Sequence, residues 1–129
     1  MNLARPLLGA AAIALLVALP AHADDIRPDQ LAFRGLFKEL VEINTSLSVG
    51  SCTAAAEAMA ARLRKAGLPE SDIQVIAVAD HPKEGNLVAV LRGSDSAAKP
   101  MLLLAHLDVV EAKREDWTRD PFTLIEENG

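Results

Sequence analysis

The sequence predicts an α/β fold in which a mixed sheet is flanked by helices. Three features carry that prediction. Two segments place apolar residues at helical spacing, two strand-like segments follow them, and the fully apolar run Met101-Leu102-Leu103-Leu104-Ala105 then ends in His106-Leu107-Asp108. The order helix, helix, strand, strand, strand puts helices on at least one face of a sheet.

The first helix is predicted over residues 30–43, with Asp29 as its N-cap. Phe33, Leu36, Phe37, Leu40 and Val41 recur at i, i+3, i+4, i+7 and i+8, while Arg34, Lys38 and Glu42 fall elsewhere, which makes the segment amphipathic. Residues 44–51 read as a polar connection. The second helix, over residues 53–66, lines Ala56, Met59, Ala60 and Leu63 along one side and leaves Glu57, Arg62, Arg64 and Lys65 as a solvated face. Basic residues in its last turn suit the helix dipole, and Gly67-Leu68-Pro69 is a stop signal.

After Ser71-Asp72 the period changes. Ile73, Val75, Ala77 and Ala79 alternate with Gln74, Ile76 and Val78, which predicts a largely buried strand; residues 80–85 read as a turn and 86–91 as a second strand, the two pairing as a hairpin with a loose loop. The polar loop 92–99 is too short for a helical crossover, so the third strand makes the sheet mixed rather than all parallel. With no polar member, residues 101–105 read as a strand buried on both faces. Residues 122–126 read as a further strand and Glu127-Asn128-Gly129 as a hairpin turn with no partner strand after it, so a domain incomplete at the C-terminus is expected. No internal repeat, heptad or low-complexity tract interrupts this order.

Residues 1–23 have the organisation of a secretory signal peptide. Arg5 precedes an apolar run over residues 7–19, and Pro20 and Ala21-His22-Ala23 lead into Asp24-Asp25. The run is shorter than the roughly 20 residues a spanning helix needs. Cleavage after Ala23, a periplasmic or secreted location and no stable membrane anchor are expected, with residues 24–129 forming the remaining domain. Removal of Arg5 with that segment leaves twelve basic against eighteen acidic residues, a net charge of −6. That balance supplies no electrostatic footprint for nucleic acid and no basic face for anionic lipid. Three Phe, one Trp and no Tyr make the core aliphatic. The single cysteine, Cys52, has no partner for an internal disulfide and reads as a packed or loop thiol.

His106 and Asp108 stand where the apolar run stops. In open α/β sheets ligands are held beyond the carboxyl ends of strands, so an imidazole there can bind a metal and a carboxylate two residues on can orient it. A histidine satisfied by loop backbone, next to an aspartate capping a turn, is the alternative for the same two residues. Catalytic zinc needs about three protein ligands plus water, and no spacing in the chain gathers them: His81 sits in a Pro- and Gly-containing turn and reads as exposed, and Ser46, Ser48 and Ser51 lack any context for a nucleophile. Elbow, phosphate-loop and dinucleotide fingerprints are also missing.

The segment Leu103-Leu104-Ala105-His106-Leu107-Asp108-Val109-Val110, followed by Trp117-Thr118-Arg119-Asp120-Pro121-Phe122 and Glu127-Asn128-Gly129, resembles the zinc-dependent peptidase family of aminoacylases, acetylornithine deacetylases, succinyl-diaminopimelate desuccinylases and glutamate carboxypeptidases. Asn86-Leu87-Val88-Ala89 and Arg92-Gly93 resemble its second strand. The resemblance is loose in the helices and close from Pro100 onward. It implies the N-terminal part of a zinc-peptidase-like catalytic domain, in which His106 ligates one zinc of a co-catalytic pair and Asp108 holds His106 in the required tautomer. Cobalt would be an alternative metal. It implies that Trp117, Asp120, Pro121 and Phe122 shape a loop near the site. The remaining ligands, the Glu general base and an inserted lid or dimerisation domain would lie beyond Gly129, so that residues 1–129 alone are expected to be inactive. The implied activity is hydrolysis of an amide bond in a peptide or N-acyl amino acid, and the implied assembly a homodimer. The alternative function is a small non-catalytic periplasmic domain that binds a partner.

Overall fold

The computed structural model of the chain describes residues 26–127. The predicted signal peptide and the Asn128-Gly129 turn lie outside the described residues. The described chain runs α1 (Pro28–Glu42), α2 (Cys52–Lys65), β1 (Ile73–Val78) and β2 (His81–Ala89), with short 3-10 turns at Glu70–Asp72 and Arg114–Asp116. The α/β class stands. None of these helices is long and apolar enough to cross a membrane.

α1 begins earlier than its apolar pattern predicts. Pro28 takes the first helical position, where its fixed φ is already helical and its missing N–H costs nothing, so the N-cap is Arg27 and Asp29 lies inside the first turn. Gln30 Oε1 accepts the Arg27 backbone N–H at 2.9 Å, one half of a capping box. The apolar stripe of α1 finds little to pack against, and Phe33 and Phe37 stack on each other at 6.4 Å in the open.

α2 follows its sequence signals closely. Ser51 accepts the Ala54 N–H at 3.1 Å as N-cap. At the other end Gly67, with φ 92°, allows Gly67 N to reach Arg64 O at 3.0 Å and Leu68 N to reach Leu63 O at 3.1 Å, a complete Schellman closure. The buried face is Ala55, Ala56 and Ala60, so the helix backbone lies close on the hairpin. Met59 and Leu63, predicted with them, sit half-buried at its margin.

β1 and β2 pair antiparallel with Ile73 opposite Ala89 and Val75 opposite Leu87. Ile73, Val75 and Leu87 turn toward α2, whereas Ile76, Val78 and Val88 are on the open face. The loose loop predicted at residues 80–85 is instead a two-residue turn, Ala79-Asp80, followed by a break in register. Val78 pairs with His81 and Ile76 with Asn86, leaving Pro82, Lys83, Glu84 and Gly85 as an excursion on β2. Thr53 pins that excursion: its Oγ1 donates to Pro82 O at 2.6 Å and accepts from Gly85 N at 2.8 Å. A Cβ on Gly85 would lie 2.5 Å from the same oxygen, so the close approach requires glycine.

Two predicted strands do not form. Met101, Leu102, Leu103 and Leu104 are each at least 80% exposed and unpaired, and residues 122–126 form a turn and an irregular stretch. A strand buried on both faces needs a neighbour at its edge and a layer on either side. The described residues supply one helix on one face of one hairpin. The observed sheet is therefore two-stranded and antiparallel rather than mixed. The one isolated bridge among the described residues is parallel, between Ser46 and Val109.

The open end of the hairpin is closed by charge. Asp72 is buried, its carboxylate accepts from Arg92 at 2.6 and 3.0 Å, and its backbone O accepts Val90 N at 2.8 Å. The hydrogen-bonded guanidinium holds the Asp72 carboxyl below its ordinary value of about 3.9. A carboxyl depressed in the folded state contributes stability above its unfolded pKa and loses it as pH falls through the folded value. Arg92→Met is thus expected to unfold at lower urea than the parent chain at pH 7. The two midpoints should converge as pH drops through the acid range in which Asp72 takes up its proton, a trend checked by circular dichroism titrations at stepped pH.

Candidate functional site

His106 and Asp108 lie on the stretch that follows the uncovered apolar run, and neither belongs to a regular element. Their mutual geometry is specific. His106 Nδ1 stands 2.9 Å from the backbone O of Asp108 and 3.3 Å from its carboxylate Oδ1. The backbone O can only accept, so a hydrogen bond to it requires the proton on Nδ1, with the carboxylate within ion-pair reach of the same nitrogen. In the neutral ring this assigns the lone pair to Nε2. A metal-binding imidazole needs that tautomer. The two readings left open by the sequence meet here, because backbone and carboxylate share one ring nitrogen.

This pair lines a cavity of about 570 Å³ between the loop after α1 and the start of β2. The 44–50 loop supplies Thr45 and Ser46, the first turn of α2 supplies Cys52, and β2 supplies His81 with Lys83 and Glu84 of its excursion. Asp80, Glu84 and Asp108 set three carboxylates against the one ammonium of Lys83, so the lining is net negative and favours cations. His81 is exposed, as its sequence context predicted, but it opens β2 rather than sitting in a turn, and its Nδ1 lies 3.2 Å from Glu84 Oε1. Burial pushes the Cys52 thiol up, and the nearby carboxylates of Asp108 and Glu84 add to the effect. A thiol shifted in that direction is a poor nucleophile, in keeping with a packed thiol in the first turn of a helix rather than a loop residue.

The resemblance placed Trp117, Asp120, Pro121 and Phe122 near the site. None of them lines the cavity of His106; Asp120, Pro121 and Phe122 line a neighbouring cleft of about 500 Å³ with Ser48 and Glu111. Asp120 Oδ1 accepts Phe122 N at 2.8 Å, a side chain closing its own turn, and Arg114 Nη1 donates to Trp117 O at 2.7 Å.

Sequence reasoning passed over the loop that holds the site. Thr45 Oγ1 donates to Leu107 O at 2.7 Å, and Ser48 donates through N and Oγ to the two carboxylate oxygens of Glu111 at 2.9 and 2.6 Å. The Ser48 hydroxyl and amide keep the Glu111 carboxyl below its ordinary range. Asn44 Oδ1 accepts both Ser46 N and Ser46 Oγ, at 2.9 and 2.7 Å, an Asx turn that braces the loop from within. Gly50 N reaches Ser46 O at 2.9 Å, and a Cβ on Gly50 would meet that oxygen at 2.6 Å. The signal was present as an Asn, a Gly and a high density of hydroxyls within eight residues.

The donor set fits a metal only in part. His106 offers Nε2 with its other nitrogen engaged. Among the described residues no three His, Cys, Asp or Glu side chains come together as a metal cage.

No protein-family profile matches the chain, and no solved structure does. Short segments are similar to curated proteins. The chain is 46% identical over 39 residues to the N-fatty-acyl-amino acid synthase/hydrolase PM20D1 of Mus musculus, covering 30% of this chain and 8% of that protein. It is 45% identical over 51 residues to the N-formyl-4-amino-5-aminomethyl-2-methylpyrimidine deformylase of Bacillus subtilis, covering 38% of this chain and 12% of that protein. The human PM20D1 protein matches at 46% over 39 residues, again 8% of its length. The matched part of the chain therefore spans about a tenth of each relative. At that coarse level the chain is related to hydrolases of amide bonds.

Proposed function

We propose that this chain supplies one corner of the metal centre of an exported zinc-dependent amidohydrolase. His106 would hold a zinc through Nε2, and Asp108 would keep Nδ1 protonated and the ring oriented. The other ligands and the general base would belong to residues outside this chain. The observation that carries the reading is the two-acceptor environment of His106 Nδ1, which leaves Nε2 as the free ligand atom. The net-negative lining of the cavity and the short matches to amide hydrolases support it. The uncovered Met101, Leu102, Leu103 and Leu104 support further sheet and helix layers around this segment in a longer protein.

A bound zinc supplies an activated water and a polarised carbonyl. The chain's own contribution is to present one imidazole in one tautomer at the mouth of a cavity. Peptides or N-acyl amino acids are the proposed substrates. Export after cleavage at Ala23 would place the work in the periplasm, which suits peptide scavenging.

The test is hydrolysis of N-acylated amino acids and dipeptides, with and without zinc, by residues 24–129 and by a longer protein that contains them. The expected result is no turnover by the short form and zinc-dependent turnover by the longer one, lost in His106→Ala. Turnover that survives His106→Ala would overturn the reading. The open face of the hairpin, with Val88 46% exposed, favours a second reading as a non-catalytic partner-binding domain. A longer protein inert toward every amide tested would decide for it.

A further inference from the structure

The stretch that carries His106 has no sheet neighbour along residues 101–104, yet it is firmly held from Leu107 onward. Thr45 does most of this. It is 4% exposed, its Oγ1 donates to Leu107 O at 2.7 Å, and its backbone O accepts Val109 N at 3.5 Å. Because a peptide unit is planar, a residue has only two soft dihedrals, each set by the orientation of one flanking plane. Leu107 O belongs to the plane before Asp108 and Val109 N to the plane after it. Thr45 thus grips both planes around Asp108 from a single residue. The second plane also carries Asp108 O, the atom 2.9 Å from His106 Nδ1.

We propose that Thr45 is a positioning residue for His106. Its hydroxyl and carbonyl fix the φ and ψ of Asp108, and through them the two acceptors that select the Nδ1–H tautomer of His106. The liganding nitrogen is then set by the fold before any metal arrives. Thr45 is suited to this because it is itself held: Asn44 and Gly50 brace its loop, and Ser48 ties the loop again to Glu111 two residues beyond the bridge. The importance of this for metal binding rests on the amidohydrolase reading; the tautomer itself does not.

The test reads the imidazole nitrogens of the 15N-labelled, metal-free chain by long-range proton–nitrogen correlation at pH 8, above the ordinary imidazole range. The unsubstituted chain is expected to show His106 in the Nδ1–H form. Thr45→Val, which keeps the volume and removes the hydroxyl, is expected to lose that preference, and Thr45→Ser to restore it. His81, held by Glu84 and not by Thr45, serves as an internal control and should not change. Backbone amide spectra of α2 and the hairpin report whether each variant is folded. An unchanged His106 tautomer in folded Thr45→Val, or a Thr45→Ser variant as perturbed as Thr45→Val, would overturn the proposal. If Thr45→Val does not fold, the Thr45 hydroxyl proton of the unsubstituted chain decides: slow exchange with water supports the bond to Leu107 O, and fast exchange rejects it. Should the tautomer follow Thr45 while a longer protein hydrolyses no amide, the positioning role stands and the functional reading falls.

Discussion

Asp108→Ala is expected to weaken zinc binding at the His106 site by roughly a hundredfold, and Asp108→Asn by roughly tenfold, on the reading proposed here. The difference follows from what each substitution leaves. Both keep the backbone O of residue 108, which is the nearer acceptor of His106 Nδ1 at 2.9 Å. Asparagine also keeps a neutral acceptor near the place of Oδ1 but removes the negative charge that faces Nδ1. Alanine removes the acceptor as well. The Asp108 side chain is 72% exposed and makes no contact that folding requires, so neither variant should shift the urea midpoint. Competition titration of zinc against a chelating dye, on the longer protein with its full ligand set, measures the effect. Equal affinity in all three proteins would remove Asp108 from the site.

Ile73→Ala is expected to have the largest effect on stability. Ile73 is 4% exposed, and among the described residues the only other hydrophobic residues buried to that degree are Ala55, Ala56 and Ala60, so it is the one large side chain among them sealed between α2 and the hairpin. Truncating such a residue costs about 2–5 kcal/mol, transfer and cavity terms together. Whole domains are stable by only about 5–15 kcal/mol, and a core built from three alanines and one isoleucine leaves little to spare. Ile73→Val should cost about 0.5–1.5 kcal/mol. Val88→Ala, on the open face of the sheet, should stay within about 0.5 kcal/mol of the parent. Urea denaturation followed by circular dichroism ranks the three, and a Val88→Ala variant as damaged as Ile73→Ala would show that the open face is covered in solution.

What was legible in the sequence is what local chemistry decides. Ser51 and Gly67-Leu68-Pro69 bracket α2 because a cap and a left-handed glycine act within one turn. The alternation at Ile73 and Val75 marks the face that α2 covers, but the strand that read as largely buried is exposed at four of its six residues because no layer covers its other face. The failures share a different cause. Residues 101–105 have the composition of a buried strand, but burial is a property of neighbours, and the described residues provide none. Pro82 and Gly85 look like turn residues, and they do interrupt the ladder, yet Thr53 from another element decides that the interruption is an excursion within a strand. Arg27 rather than Asp29 caps α1 because Pro28 outweighs the better capping side chain.

The candidate site was legible as a pair of residues and not as a geometry. His106-Leu107-Asp108 named the imidazole and the carboxylate. The sequence could not show that the backbone O of Asp108 lies nearer to Nδ1 than its carboxylate does. Nor could it show that a buried threonine sixty-two positions earlier grips the peptide between the two residues. Hydroxyls at Thr45 and Ser48 read only as a polar connection because a serine or threonine that braces a distant carbonyl or carboxylate has the same composition as one that faces water.

The most direct test of the account is a zinc titration of the 15N-labelled chain, read at the imidazole nitrogens. Nε2 of His106 is expected to take the metal-bound shift while its Nδ1 keeps the proton, with His81 responding only at higher zinc. Metal uptake at His106 Nδ1, or at His81 first, would contradict it.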